Sequence, residues 1–449
     1  MTALEQLGAF VAGSPNQSFS PEVRETVRLH LVDTVAAWVA GTATPEGTAL
    51  LELTRSIRGR AGLENYGDGL LDRTMLCCAL ARLSEVDDIH LASLTTPGAV
   101  LIPTALNVAQ ALGAAAQERL AEAVVVGYDA MVRLGVALGG QPILYRGIWP
   151  TYFTAPFGAA AVAARLLGLT AAQSANALAM ALTMASPSVG HHGGAKTSRW
   201  ISVGQKARAG VWAALAAKEG FGNDVGVFEG KLFPSVYNIT PDPAVLTADL
   251  GEVFSILQTS FKPWCAARQT MAASQAMKEI VQAGVAPATI SAVTAFVPTQ
   301  QVGMIDHGVM SGERTSHLTS VQYQIALAAF GSDAVFDVKQ APAQLPAEIC
   351  AFMSKVKVEG DDTLLTLDPV GWAARVEVTA ASGKLEKQIT CIPGDPRRPF
   401  DEAQVANKLR QVVSRAVGAR AAERLLPLAL TALEADGLEP LLGAIDGRY

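Results

Sequence analysis

The chain is short of the features that would tie it to nucleic acid, a membrane or a structural metal. Only 17% of its residues are charged, and 35 Lys and Arg against 41 Asp and Glu leave a net charge of -6. It has no basic field for a phosphate backbone or an anionic lipid surface. The opening residues MTALEQLGAF hold neither a basic segment nor a cleavable apolar run, so export is not expected. Between Leu166 and Gly190 there is no charge, but Gln173, Ser174, Asn176 and Thr183 interrupt the run. It reads as a buried helix rather than a span. The five cysteines, Cys77, Cys78, Cys265, Cys350 and Cys391, have neither CxxC nor zinc spacing. A reduced, cytoplasmic protein without a structural metal is the expectation.

What is present is apolar residue in quantity. Half of 449 residues are hydrophobic, enough for a large core and too many for one, so two domains are expected. Pro21 to Gly41 carries apolar positions at helical spacing between a Pro-Glu start and a Gly stop. Further helices are expected over Glu46 to Arg58, from Asp72, over Thr104 to Leu112 and over Ala116 to Leu138. An Ala- and Gly-rich stretch follows that suits closely packed helices. Beyond Gly284 the pattern changes to β-branched alternation in TISAVTAFVP, KVKVEG and ARVEVTAASGKLEKQIT, the last with a Ser-Gly hairpin turn. SHLTSVQYQIALAAF between them is helical, and the chain after PGDPRRPF returns to helix. The fold expected is mainly α: a large all-helical domain from residues 1–266, with 399–449 returning to it, and a smaller α+β lid over 267–398.

Five stretches carry chemistry. Ser84 to Gln110 packs Glu85, Asp87, Asp88 and His90 ahead of a Thr95-Thr96-Pro97-Gly98 break and an apolar helix. A break there aims side chains that a continuing helix would turn to solvent; the plain alternative is a solvated acidic loop that caps the next helix. Trp149 stands in a turn before a helix. In HHGGAKTSRWISVGQKA a glycine pair precedes Lys196, Arg199 and Ser202, which is a mobile binding loop or a surface turn. Lys262, Pro263, Trp264 and Arg268 meet a helix start, where free N–H groups and the dipole favour a carboxylate. Tyr323 lies on an apolar helix, the usual place of a core tyrosine with a satisfied hydroxyl. Arg133 reads as an ion-pair residue of the core.

In order and near-constant spacing these stretches resemble the MmgE/PrpD family, which includes 2-methylcitrate dehydratase, cis-aconitate decarboxylase and iminodisuccinate epimerase. Asp33-Thr34, Asp87-Asp88, His90 and Pro97, the Phe157-Gly158-Ala159-Ala160 helix, Glu229-Gly230, Lys262-Pro263-Trp264 with Arg268, and Tyr323 carry the likeness. The resemblance implies a cofactor-independent lyase or isomerase that abstracts a proton alpha to a carboxylate or carbonyl of a small organic acid. It also implies a homodimer with the site in the cleft between domains. Asp88, His90, Lys262, Tyr323 and Glu85 become candidate catalytic groups; Arg268, Arg199, Lys196, Thr96, Trp149 and Ser202 become candidate substrate-binding groups. The chain departs from the family where relatives often have histidines, at Thr96, Trp149, Ser202 and Met271. Glu85 and Ile89 stand where Asp and Thr are usual. Each histidine lost removes a group that titrates near neutrality. The base is then sought in His90, a carboxylate of raised pKa or a lysine lowered by Arg199. Two alternatives stay open: a repurposed isomerase or cyclase with a less polar substrate, and a catalytically silent carboxylate-binding paralogue.

Overall fold

The helix Pro21–Thr42 is the axis of the first half of the chain. Ser20 caps it through a bond from the Val23 N–H (3.3 Å), and Pro21 fills the first position, where no N–H is needed. From Leu29 to Gly41 every residue is buried. Such all-round burial needs partners on several sides, and the helix packs against Leu70–Leu83, Gly98–Leu112 and the returning Glu402–Val417. A Cβ on Gly41 would stand 1.8 Å from the Leu80 carbonyl oxygen, so glycine sets that close crossing.

In this computed structural model, residues 1–13, 19–186, 197–368, 370 and 372–447 are described. They form two compact units, one from the described residues of 1–190, 197–261 and 401–449, the other from those of 262–400. The division falls at 261/262. Lys262 therefore opens the second unit, whereas the sequence boundary at 266/267 put it in the first.

The first unit is helical. Ser198–Lys218 crosses both Leu70–Leu83 and Pro150–Leu167, and the crossings rest on small residues. A Cβ on Gly204 would sit 2.1 Å from the Met75 carbonyl oxygen and one on Gly210 would sit 2.2 Å from that of Pro156. The helix after the acidic segment begins at Gly98, earlier than the sequence suggested, and keeps Pro103 inside it. The expected helix from Ala116 to Leu138 is two, Ala114–Gln117 and Leu120–Ala137. Two short strands, β1 (Ile89–His90) and β2 (Thr259–Ser260), pair antiparallel with Ile89 opposite Ser260 and pin the acidic segment in place.

The second unit holds a four-stranded sheet. Its strands are β3 (Ile290–Val297), β4 (Val356–Gly360), β5 (Ala374–Ala380) and β6 (Gly383–Ile389), in the order β4-β3-β5-β6. β5 and β6 are the hairpin expected from the Ser-Gly turn, and β3 pairs antiparallel with β5. β3 and β4 are parallel, which requires a long crossover, here made of helical segments from Thr299 to Met353. Val293, Ala295, Val376 and Val378 are buried, while the edge strand β6 shows Lys384 and Glu386 to solvent. Arg268–Gln282 packs on β5, β6 and Val321–Ala329. No described helix of the chain is long and apolar enough to cross a membrane.

Candidate active site

The acidic segment begins where Leu70–Leu83 ends at Ser84, and Glu85 takes φ +57°. A non-glycine residue pays about 1–2 kcal/mol for the left-handed region, and such strain is kept where surrounding bonds enforce it. Glu85 has those bonds. Its Oε1 accepts from Arg199 Nη2 and from Trp200 Nε1, each at 3.0 Å, and its Oε2 pairs with Arg82 Nη1 at 2.9 Å. Arg82 also meets Asp87 at 3.1 Å. The Arg199 guanidinium lies 5.1 Å from the ring centroid of Trp149 and 4.7 Å from that of Trp200. The result is a buried group of two guanidinium cations and two carboxylates, framed by indoles.

Asp88 belongs to a neighbouring network with a different task. Its carboxylate accepts from Tyr128 OH (2.6 Å), from His30 Nδ1 (2.8 Å) and from the Gly98 N–H (2.7 Å), the first residue of the following helix. A Cβ on Gly98 would come within 2.8 Å of both Asp88 oxygens, so only glycine lets the helix start approach. Next to it Asp33 pairs with Lys408 at 2.5 Å, and Lys408 also donates to the Val86 carbonyl at 2.7 Å. Burial pushes the Asp33 carboxyl up, and Lys408 opposes the shift. Asp88 is fully buried and holds three donors, the surroundings of an anchor that fixes the segment.

His90 points elsewhere. Its Nδ1 accepts from the Ser93 N–H at 3.2 Å, and burial pushes the ring down to about 4. It lines a cavity of about 180 Å³ with Arg133, Asp249, Ser255 and Gln258, none of which belongs to the Glu85 group. Arg133 caps the carbonyls of Ala248, Asp249 and Val253 and pairs with Asp129, as a core cation does.

Thr96 and Trp149 meet the start of Pro150–Leu167: the Thr96 N–H donates to Thr151 Oγ1 at 3.1 Å, and Trp149 is the residue ahead of Pro150. Ser202 lies half-buried one turn beyond Arg199. Lys196 lies outside the described residues. The sequence reading missed Tyr152. Its hydroxyl and the Trp149 Nε1 are buried donors without a partner among the described residues, and the two rings are 5.7 Å apart. Burial pushes the Tyr152 phenol up to about 12, against the pull of Arg199 and Arg82. Its place one turn after Trp149 was the available signal.

In the second unit Lys262 and Tyr323 are buried, at 2% and 3% exposure. Arg268 opens its helix as expected, but Asp395 already takes its Nη2 at 2.9 and 3.1 Å, and the guanidinium lies 5.3 Å from the Trp372 ring. Among the described residues its Nε and Nη1 have no hydrogen-bond partner. Tyr323 sits edge-on to His317, ring centroids 5.1 Å apart at 90°, and burial pushes its phenol up to about 12. Among the described residues no group of three or more His, Cys, Asp and Glu side chains is arranged to hold a metal.

The model of the MmgE/PrpD N-terminal domain matches residues 5–237, and that of the MmgE/PrpD C-terminal domain matches residues 264–431. The chain belongs to the MmgE/PrpD family. A cis-aconitate decarboxylase of Aspergillus terreus is 29% identical over 227 residues, a match covering 46% of this chain and 44% of that enzyme. The enzyme of the same name from Aspergillus terreus strain NIH 2624 / FGSC A1156 matches with the same identity and coverage. The chain thus matches less than half the length of these curated relatives.

Proposed function

We propose that the protein is a cofactor-independent lyase or isomerase that removes a proton alpha to the carboxylate or carbonyl of a small organic acid bearing fewer charges than a tricarboxylate. The observation that carries the substrate class is charge balance. Arg82 and Arg199 face Glu85 and Asp87, and Arg268 faces Asp395. These three cations are matched by protein carboxylates, so they offer little surplus field to a trianion. What the first unit does offer is Arg199 between two indoles, with the spare donors of Trp149 and Tyr152. Such a surface suits one carboxylate or carbonyl on an apolar or unsaturated body. The second unit, taken by itself, carries Lys262, a cation suited to a developing enolate, and Tyr323, which burial holds protonated as a proton donor. The family and its decarboxylase relative support a lyase in general terms. The reading includes a cytoplasmic homodimer acting on a small molecule.

The test is solvent exchange. The protein is incubated in deuterated buffer with malate, citrate, cis-aconitate, lactate and 3-hydroxybutyrate, and NMR follows both deuterium uptake and product. The expected outcome is exchange or turnover of a mono- or dicarboxylate in preference to citrate. Tyr323→Phe and Lys262→Met should each lower that rate roughly 10²- to 10³-fold. Stabilisation by an acid with neither exchange nor product would mark a silent binding protein instead, and unchanged rates in both variants would remove the assignment.

A further inference from the structure

We propose that His317 is the base that takes the substrate proton, in the place left open by the four family histidines this chain lacks. The inference rests on the function proposed above. His317 was not among the candidates that the sequence motifs singled out, and three features of its surroundings point to it.

The first is its tautomer. His317 Nδ1 lies 2.9 Å from the Glu313 carbonyl oxygen, which can only accept. The Nδ1 nitrogen therefore carries the proton, and in the neutral ring Nε2 keeps its lone pair. The second is that this lone pair is unused: among the described residues Nε2 is buried without a hydrogen-bond partner, although a buried acceptor left unpaired costs about 1–3 kcal/mol. Desolvation lowers the ring below its ordinary value, and the neighbouring Glu313 partly opposes that shift. A neutral imidazole at pH 7 is the state a base needs. His90, the other buried histidine considered for this role, uses its Nδ1 to accept from Ser93.

The third is company. Tyr323 stands edge-on at 5.1 Å between ring centroids. The Leu318 carbonyl, one residue on, accepts from the Ala267 N–H at 2.9 Å, which ties the His317 turn to the segment that begins at Lys262. Gln324 donates to the His317 carbonyl at 3.0 Å and fixes the same turn to the Tyr323 helix. Base, proton donor and cation thus come from strands of chain bonded to one another.

The α C–H bond breaks, its proton goes to His317 Nε2, and the electron pair remains as an enolate held by Lys262. In elimination the pair becomes the new double bond as the β C–O bond breaks, and the hydroxide leaves as water with the Tyr323 proton. In epimerisation the enolate carbon takes the Tyr323 proton on its opposite face.

His317→Asn separates this role from a structural one, because the Asn amide can still donate to the Glu313 carbonyl while no base remains. For the acid that the wild-type protein exchanges, the variant should lose about 10³-fold in exchange rate while its thermal midpoint stays close to wild type. In His317→Ala, added imidazole should restore part of the rate. Wild-type exchange by His317→Asn, or a loss that follows unfolding and that imidazole does not restore, would overturn the assignment and leave the proposed function standing. Failure of the wild-type protein to exchange or convert any acid of the panel would overturn both.

Discussion

The acids of the first unit and the histidine of the second illustrate opposite uses of burial. Asp33 has Lys408, Glu85 has Arg82 and Arg199, Asp87 has Arg82, and Asp88 has three donors. Among the described residues His317 has a partner on one nitrogen and none on the other, as does His30 beside Asp88. A buried group that meets its partners holds its surroundings in place, and one with an open bond has room for a further partner. In the acidic motif each acid meets a cation or several donors within the fold, so its density reflects bonds made inside the first unit.

The largest effect should come from breaking an anchor. Lys408→Met leaves Asp33 buried beside Asp88 without its cation and removes the bond to the Val86 carbonyl. Loss of one partner of a buried pair costs about 3–5 kcal/mol, and urea unfolding should show a loss of this size. Exchange per folded molecule should stay near wild type. A variant as stable as the parent would show that the network is not an anchor.

A smaller effect should appear with pH. His90 is 4% exposed and is pushed down to about 4 in the folded chain, against about 6.5 unfolded. The unfolded state therefore takes up the proton first. The stability due to the neutral ring is complete above pH 6.5 and is lost as pH falls towards 4. A shift of this size corresponds to about 3 kcal/mol. His90→Asn, which keeps an acceptor for the Ser93 N–H, should flatten the dependence of unfolding free energy between pH 6.5 and 4. A slope equal to that of the parent would mean that other groups carry it.

Much of the fold could be read from the chain because it depends on local pattern. The Pro21 start, the β5–β6 hairpin and the change to alternation after Gly284 are each written in adjacent residues. Helix starts were less legible: Gly98 was read as part of a break, although an Asp88 carboxylate ten residues earlier accepts its N–H and makes it a helix start. Glu85 and Asp87 stood out as a cluster of adjacent acids, but their cation Arg82, only three and five positions earlier, was not singled out. The Glu85–Arg199 pair spans 114 positions and the Arg268–Asp395 pair 127, and no spacing rule connects such residues. His317 gave no signal because its significance lies in a bond it does not make.

The mildest test concerns Tyr152, the spare donor of the first unit. Its hydroxyl is buried and unpaired among the described residues, so Tyr152→Phe removes no bond made among them and relieves a polar group of its burial. Stability should be unchanged or higher by up to about 1 kcal/mol. If the phenol serves a substrate oxygen beside Arg199, the same variant should lower kcat/KM roughly tenfold, the worth of one hydrogen bond to a charged group. A gain in stability together with a loss in turnover would place Tyr152 among the groups kept unbonded for the substrate. A gain in stability with no change in turnover would place it in the packing of the first unit.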